Sequence, residues 1–164
     1  GQAVAAHWGL ALDHSEFVLV CRGTRSEGTK DPALRLAGPW DLERVAALTA
    51  VAFGDTLEAA MAMAENTLLE PDRQCWGLWE GENLIAAAGV GPAAEGLSIY
   101  SVAVDPARQG QGLGRRIMAA LLAVLPRDKV LVVEVDSENL PARALYEAFG
   151  FRESRRQDYF ARGL

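Results

Sequence analysis

VDPARQGQGLGRR, residues 104–116, joins an apolar run, LSIYSVAV (97–104), to a second one, IMAALLAVL (117–125). The first has the length and β-branched content of a strand, and the second has the length of a helix. Gly110, Gly112 and Gly114 take alternate positions in the junction, with Arg108, Arg115 and Arg116 around them. Glycine is a poor helix former, so its repetition at a helix start needs a reason. A glycine-rich strand-to-helix turn leaves backbone N–H groups unpaired at the positive end of the helix dipole. Missing Cβ atoms let a bulky anion approach that backbone. The pattern predicts a phosphate or pyrophosphate site; the competing reading is a loop built of glycine for tight packing. A P-loop is excluded, because Arg115 and Arg116 stand where Lys and then Ser or Thr are required. The dinucleotide fingerprint G-x-G-x-x-G is not met either.

Working outward, KVLVVEV (129–135) reads as a central strand buried on both faces. ENLPARALYEAFG (138–150) reads as a helix, with Asn139 near its cap, Pro141 in its first turn and Gly150 at its stop. FRESRRQDYF (151–160) follows as a final strand. Upstream, CWGLWEGENLIAAAGV (75–90) predicts a hairpin turning at Glu80 to Asn83. WDLERVAALTAVAF (40–53) and TLEAAMAMAENTLL (56–69) are helical, the first with Leu42, Val45, Leu48 and Ala52 on one face. ALRLAG (33–38) is a short strand. HWGLALDHSEFVLVCR (7–22) reads as two short strands turning at Asp13 to Ser15, and RGTRSEGTKDP (22–32) as a linker. Strands and helices in this order predict an α/β (α+β) domain, a mixed sheet covered by about four helices.

Composition narrows the function. A chain of 164 residues is one domain by length, and half of it is hydrophobic. A net charge of −6 argues against general nucleic-acid binding, which requires a basic face. An acidic surface tends to attract cationic partners. No apolar run approaches the roughly 18 residues of a membrane span, and residues 1–10 lack the basic and apolar regions of a signal peptide. Cys21 and Cys75 make no metal-ligand spacing and read as cytosolic thiols. The expected location is cytoplasmic, with neither membrane nor nucleic acid as partner.

What survives in the loop is Gln109-x-x-Gly112-x-Gly114 after VAVDP. It resembles the pyrophosphate motif Q/R-x-x-G-x-G/A of the GNAT superfamily of N-acetyltransferases. ENLPARALYEAFGF (138–151) resembles that superfamily's second motif, N-x-x-A-x-x-L-Y-x-x-x-G-F, at Asn139, Ala142, Leu145, Tyr146, Gly150 and Phe151. Two motifs in the right order are far more specific than one, and the resemblance spans roughly residues 33 to 160. It implies the GNAT fold with two splayed central parallel strands, and acetyl-CoA as cofactor. Implied cofactor contacts are Val102, Ala103 and Val104 along the strand, then Gln109, Gly110, Gln111, Gly112, Leu113, Gly114 and Arg115 in the loop. Asn139, Ala142 and Tyr146 follow on the later helix; Asn139 has the alternative role of helix cap.

The implied reaction is acetyl transfer from a thioester to a primary amine by direct attack. Tyr146 stands where the superfamily carries its general acid; the other reading is an aromatic core residue with a bonded hydroxyl. VEVDSENLPARALYEAFGF (133–151) is most similar to the ribosomal-protein alanine N-acetyltransferases, in which a glutamate ahead of the tyrosine acts as base. Glu134 has that glutamate's spacing, and burial within its strand would penalise ionisation and suit a base. A strand glutamate on a solvated face or in an ion pair is the alternative reading. Glu95 and Tyr100 are reserves, relaying the proton through water. Asp136 stands where that branch often carries a basic residue, so the acceptor stays open between a small-molecule amine and a peptide N-terminus. A non-catalytic acyl-CoA-binding module on the same fold is the rival class. Residues 1–30 are expected to form an N-terminal β-hairpin extension and linker, and 31–164 the acetyltransferase domain. The hairpin would supply an edge strand, within one chain or across a homodimer, or else be the tail of an upstream domain; the oligomer is a monomer or homodimer.

Overall fold

The computed structural model describes residues 10–23 and 26–162. Seven strands form one sheet: β1 Leu10–Cys21, β2 Leu34–Ala37, β3 Gln74–Glu80, β4 Asn83–Ala93, β5 Gly96–Val104, β6 Leu131–Asp136 and β7 Arg152–Arg162. Four helices accompany them: α1 Leu42–Phe53, α2 Leu57–Leu69, α3 Leu113–Val124 and α4 Leu140–Ala148. The strand order is β2-β3-β4-β5-β6-β1-β7. Alternation along the strands divides the apolar side chains between two cores. Ile85, Ile99, Leu131 and Val133 meet Ile117, Met118 and Leu121 of α3 and Tyr146 of α4 on one face. Cys75, Ala87 and Ala103 meet Val45, Ala46 and Leu48 of α1 and Ala60 and Ala64 of α2 on the other. Each fully buried Leu or Ile contributes about 1.5–3 kcal/mol.

Two features differ from the sequence reading. The N-terminal hairpin is a single strand: Asp13 falls at a register break within β1, a bulge where a turn was expected. Its part before Leu10 lies outside the described residues. β1 runs antiparallel to both β6 and β7, pairing Val18 with Glu134 on one side and with Arg155 on the other, so it is internal and not an edge. β6 is the second difference. Leu131, Val133 and Val135 are buried, but Glu134 and Asp136 are exposed, because α1 and α2 cover β3, β4 and β5 and stop short of β6.

β5 and β6 are parallel and pair only through Leu97–Leu131 and Ser98–Val132. Beyond those pairs the strands separate. β5 also carries a bulge against β4, where Ala87 faces Ala103 but Gly89 faces Tyr100. Within it Ser101 has φ 49°, the left-handed region a non-glycine residue adopts at a cost.

Where α1 begins, Asp41 is 1% exposed. Its carboxylate accepts from the Gly38 amide at 3.0 Å and from Arg35 at 3.0 and 3.3 Å. Arg35 also stacks 3.6 Å from the centre of the Trp79 ring, tying β2 to β3 and to the helix start. Burial pushes the Asp41 carboxyl up, but the bonds from Arg35 and Gly38 outweigh burial and hold it below its ordinary range. The folded value lies below the unfolded value of about 3.9, so this stabilisation is complete above about pH 4 and fades as the pH falls through the folded value. Asp41→Ala is expected to cost about 2–3 kcal/mol at pH 7, less than a fully buried pair because Arg35 can reach water. Urea midpoints at pH 7 and pH 3 check this: the gap between parent and variant should narrow at the lower pH.

Candidate active site

The glycine loop follows the end of β5, past the residues at which β5 and β6 pair. Gly110 and Gly112 both have φ +78°, and a Cβ built on either meets nothing within 4 Å. The space above them is empty, and the backbone favours glycine there. Gly114 differs: its Cβ would lie 3.4 Å from Leu145 Cδ2, so it sets how closely α3 approaches α4. Of the three glycines only Gly114 packs against a neighbour, while Gly110 and Gly112 leave open space. Gly112 caps α3, whose first amides and dipole face the loop.

A groove of about 470 Å³ runs from this loop toward the gap between β5 and β6. β5 lines it with Val102, Ala103 and Val104, and the loop with Gln109, Gly110 and Gly112. α3 adds Leu113 and Gly114, and the start of α4 adds Asn139 and Ala142. Ala52 and Phe53, at the end of α1, form the opposite wall. Those two were missed in the sequence, where they belong to an ordinary amphipathic helix with no motif. Gln111, Arg115 and Tyr146 are not among the lining residues. Asn139 accepts from the Ala142 amide at 3.1 Å, so it caps α4 while facing the groove.

The arginines of the loop are not equivalent. Arg116 donates to Asp31 at 2.6 and 3.1 Å, and that guanidinium holds the Asp31 carboxyl below its usual range. Arg108 is paired with Glu80 at 2.5 Å. Arg115 lies 5.8 Å from the centre of the Phe149 ring. Among the described residues it forms no ion pair, unlike Arg108 and Arg116.

Tyr146 is 7% exposed, with its ring tilted against Phe151 at 5.9 Å. Burial pushes its phenol up to about 12, so it is protonated at neutral pH. Glu134 projects from the opposite face of the sheet, since Val133 and Val135 share the core with Tyr146. The burial expected of Glu134 is therefore absent. The two side chains lie on opposite faces of the sheet. Glu95 lines the same concavity as Glu134 and is held by Arg22 at 2.5 Å. The Tyr100 hydroxyl donates to Thr67 Oγ1 of α2 at 3.4 Å. Among the described residues, no group of His, Cys, Asp and Glu could hold a metal ion. None of their helices is long and apolar enough to cross a membrane.

Comparison with known proteins places this geometry. The N-alpha-acetyltransferase RimI of Mycobacterium tuberculosis is 33% identical over 126 residues, 73% of this chain and 78% of that protein. A mycothiol acetyltransferase of a Nocardioides species is 43% identical over 68 residues, but only 23% of that protein is spanned. The crystal structure of the ribosomal-protein-S18-alanine N-acetyltransferase from Escherichia coli superposes with a TM-score of 0.64 at 26% identity, over 74% of this chain and 78% of that one. A GNAT acetyltransferase from Colwellia psychrerythraea has the same fold, with a TM-score of 0.74 at 15% identity over 97% of this chain and 59% of that one. The family described as "Acetyltransferase (GNAT) family" matches residues 41–151, from the cap of α1 to the end of the second motif. With its glycine cradle, its groove and its parted parallel strands, this chain belongs to the GNAT acetyltransferase family.

Proposed function

We propose that the protein moves an acetyl group from acetyl-CoA to a primary amine. The observation that carries this reading is the cradle at Gly110 and Gly112, open to an anion and continuous with a groove that ends at the β5–β6 gap. Such a cradle suits a pyrophosphate: free amides at a helix start, no Cβ in the way, and Arg115 beside it. Val102, Ala103 and Val104 would hold the pantetheine arm along the groove. Bound acetyl-CoA supplies the acyl thioester.

The residues at the gap meet two proton demands. An alkylammonium with a pKa of about 10 must lose a proton before its nitrogen can attack. Glu134 takes that proton, directly or with Glu95 acting through water. Tyr146, kept protonated by burial, gives a proton to the departing sulfur from the other face. Entry of the amine from the open face and departure of the thiol toward the helices keeps the two transfers apart.

Thermal unfolding with and without acetyl-CoA tests the reading. Ligand at 100 times its dissociation constant stabilises the folded state by about 2.7 kcal/mol, a rise in Tm of about 5–10 °C at this size. Gly112→Trp should abolish the shift, and so should Arg115→Glu, which makes no special backbone demand. No shift in a well-folded parent would reduce the glycines to packing elements and end the proposal. A shift without turnover of any amine would favour a binding module.

A further inference from the structure

The half-sheet β6–β1–β7 has a second face that α1 and α2 leave uncovered. A concave surface of about 350 Å³ lies on it, at the mouth of the β5–β6 gap. Three of its residues stand in a row across three strands. Val18 pairs with Glu134 of β6 on one side and with Arg155 of β7 on the other. Directly opposed residues project to the same face, and two strand spacings put the Glu134 and Arg155 backbones about 10 Å apart. Val18, 3% exposed, is the floor between them.

The row has a negative end and a positive end. Glu16 and Asp136 face each other one alternation beyond Val18 and Glu134, on the same face, and deepen the negative end. At the other end Arg155 forms no ion pair among the described residues, and neither does Glu134. The neighbouring Arg22 is already neutralised by Glu95 at 2.5 Å. An unpaired carboxylate and an unpaired guanidinium across an apolar floor are complementary to a molecule that carries both charges. A guanidinium is also the side chain best shaped to take a carboxylate through two parallel hydrogen bonds.

We propose that the acceptor is a primary amine bearing a carboxylate a few ångströms from its nitrogen, as in a peptide whose second residue is acidic. The ammonium sits at Glu134, next to the gap, and the carboxylate sits on Arg155. This assignment rests on the acetyl-transfer reading and deepens it. It also separates acceptors by charge: a polyamine would bring a second cation against Arg155.

Acetylation of the amides of alanyl-aspartate, alanyl-asparagine and alanyl-lysine, followed by mass spectrometry, is the test. The expected order of kcat/KM is aspartate, then asparagine, then lysine, with aspartate ahead of asparagine by about 5-fold or more, mainly through KM. Arg155→Met should erase the difference between aspartate and asparagine. Arg155→Glu should move lysine to the front, and both variants should keep the parent Tm because Arg155 is exposed. Equal rates for the three amides, or no acetylation of any of them, would overturn the assignment. The acetyl-CoA thermal shift tells the two failures apart: if it persists, the acceptor assignment alone has failed.

Discussion

Tyr146→Phe is expected to lower kcat by about 100-fold or more, at the low end of what a positioned acid contributes, while Tm stays within a degree or two of the parent. The substitution removes one oxygen and leaves the ring packed against Phe151. Among the described residues the hydroxyl takes part in no hydrogen bond, so none is broken. KM for acetyl-CoA should hold, since the substitution leaves the ring in place and none of the residues lining the groove is altered. The pH profile gives a second check. With the phenol pushed up to about 12 by burial, it keeps its proton up to about pH 11. The parent should therefore show no alkaline fall in kcat from this group at pH 7–10, and the variant's deficit should be constant over that range. A kcat within about twofold of the parent would make Tyr146 a core aromatic and move the acid elsewhere.

Gly96→Ala is expected to cost about 3 kcal/mol or more in stability. Gly96 has φ +93°, and a Cβ there would lie 2.2 Å from the carbonyl oxygen of Val130. That oxygen accepts the Leu97 amide at 2.9 Å, beside the two residue pairs that join β5 to β6. A left-handed non-glycine backbone costs about 1–3 kcal/mol, and an overpacked contact adds a similar amount. Tm should fall by about 6–12 °C. Because the clash is at the closed end of the gap, acetyl-CoA should also bind more weakly to the folded variant. An unchanged Tm would mean that the two halves of the sheet yield there freely.

The glycine loop, the second motif and the order of strands and helices were legible because each is local. The turn at Gly81, the cap at Asn139 and the helical period of α1 are all written within a few residues. What was not legible depends on distant partners. Asp13, His14 and Ser15 are turn formers, and only pairing with β7 makes them a bulge within one strand. VLVVEVD looked buried on both faces because β-branched residues dominate it, yet Glu134 and Asp136 already mark one face as polar. Nothing local indicates how far α1 and α2 extend over the sheet. The partners of Arg108 and Arg116, Glu80 and Asp31, are remote in sequence, so three arginines near the loop looked equally free.

The internal position of β1 has a consequence for how the chain assembles. β1 is synthesised before both of its neighbours, and more than a hundred residues separate it from either. β2 to β5 can zip up as successive neighbours, each closing a short stretch of chain. The β6–β1–β7 half must wait, because β7 reaches β6 only across β1. Closing so long a loop is entropically costly and slow. During that wait FVLVC (17–21), apolar and β-prone, is an open strand with two unsatisfied edges, a hazard for self-association. The charges of its eventual partner, RESRR (152–156), give the finished sheet an outer edge that repels its own copies. Assembly of this enzyme is thus a race between closing the long loop that joins β1 to its neighbours and keeping β1 from finding another chain.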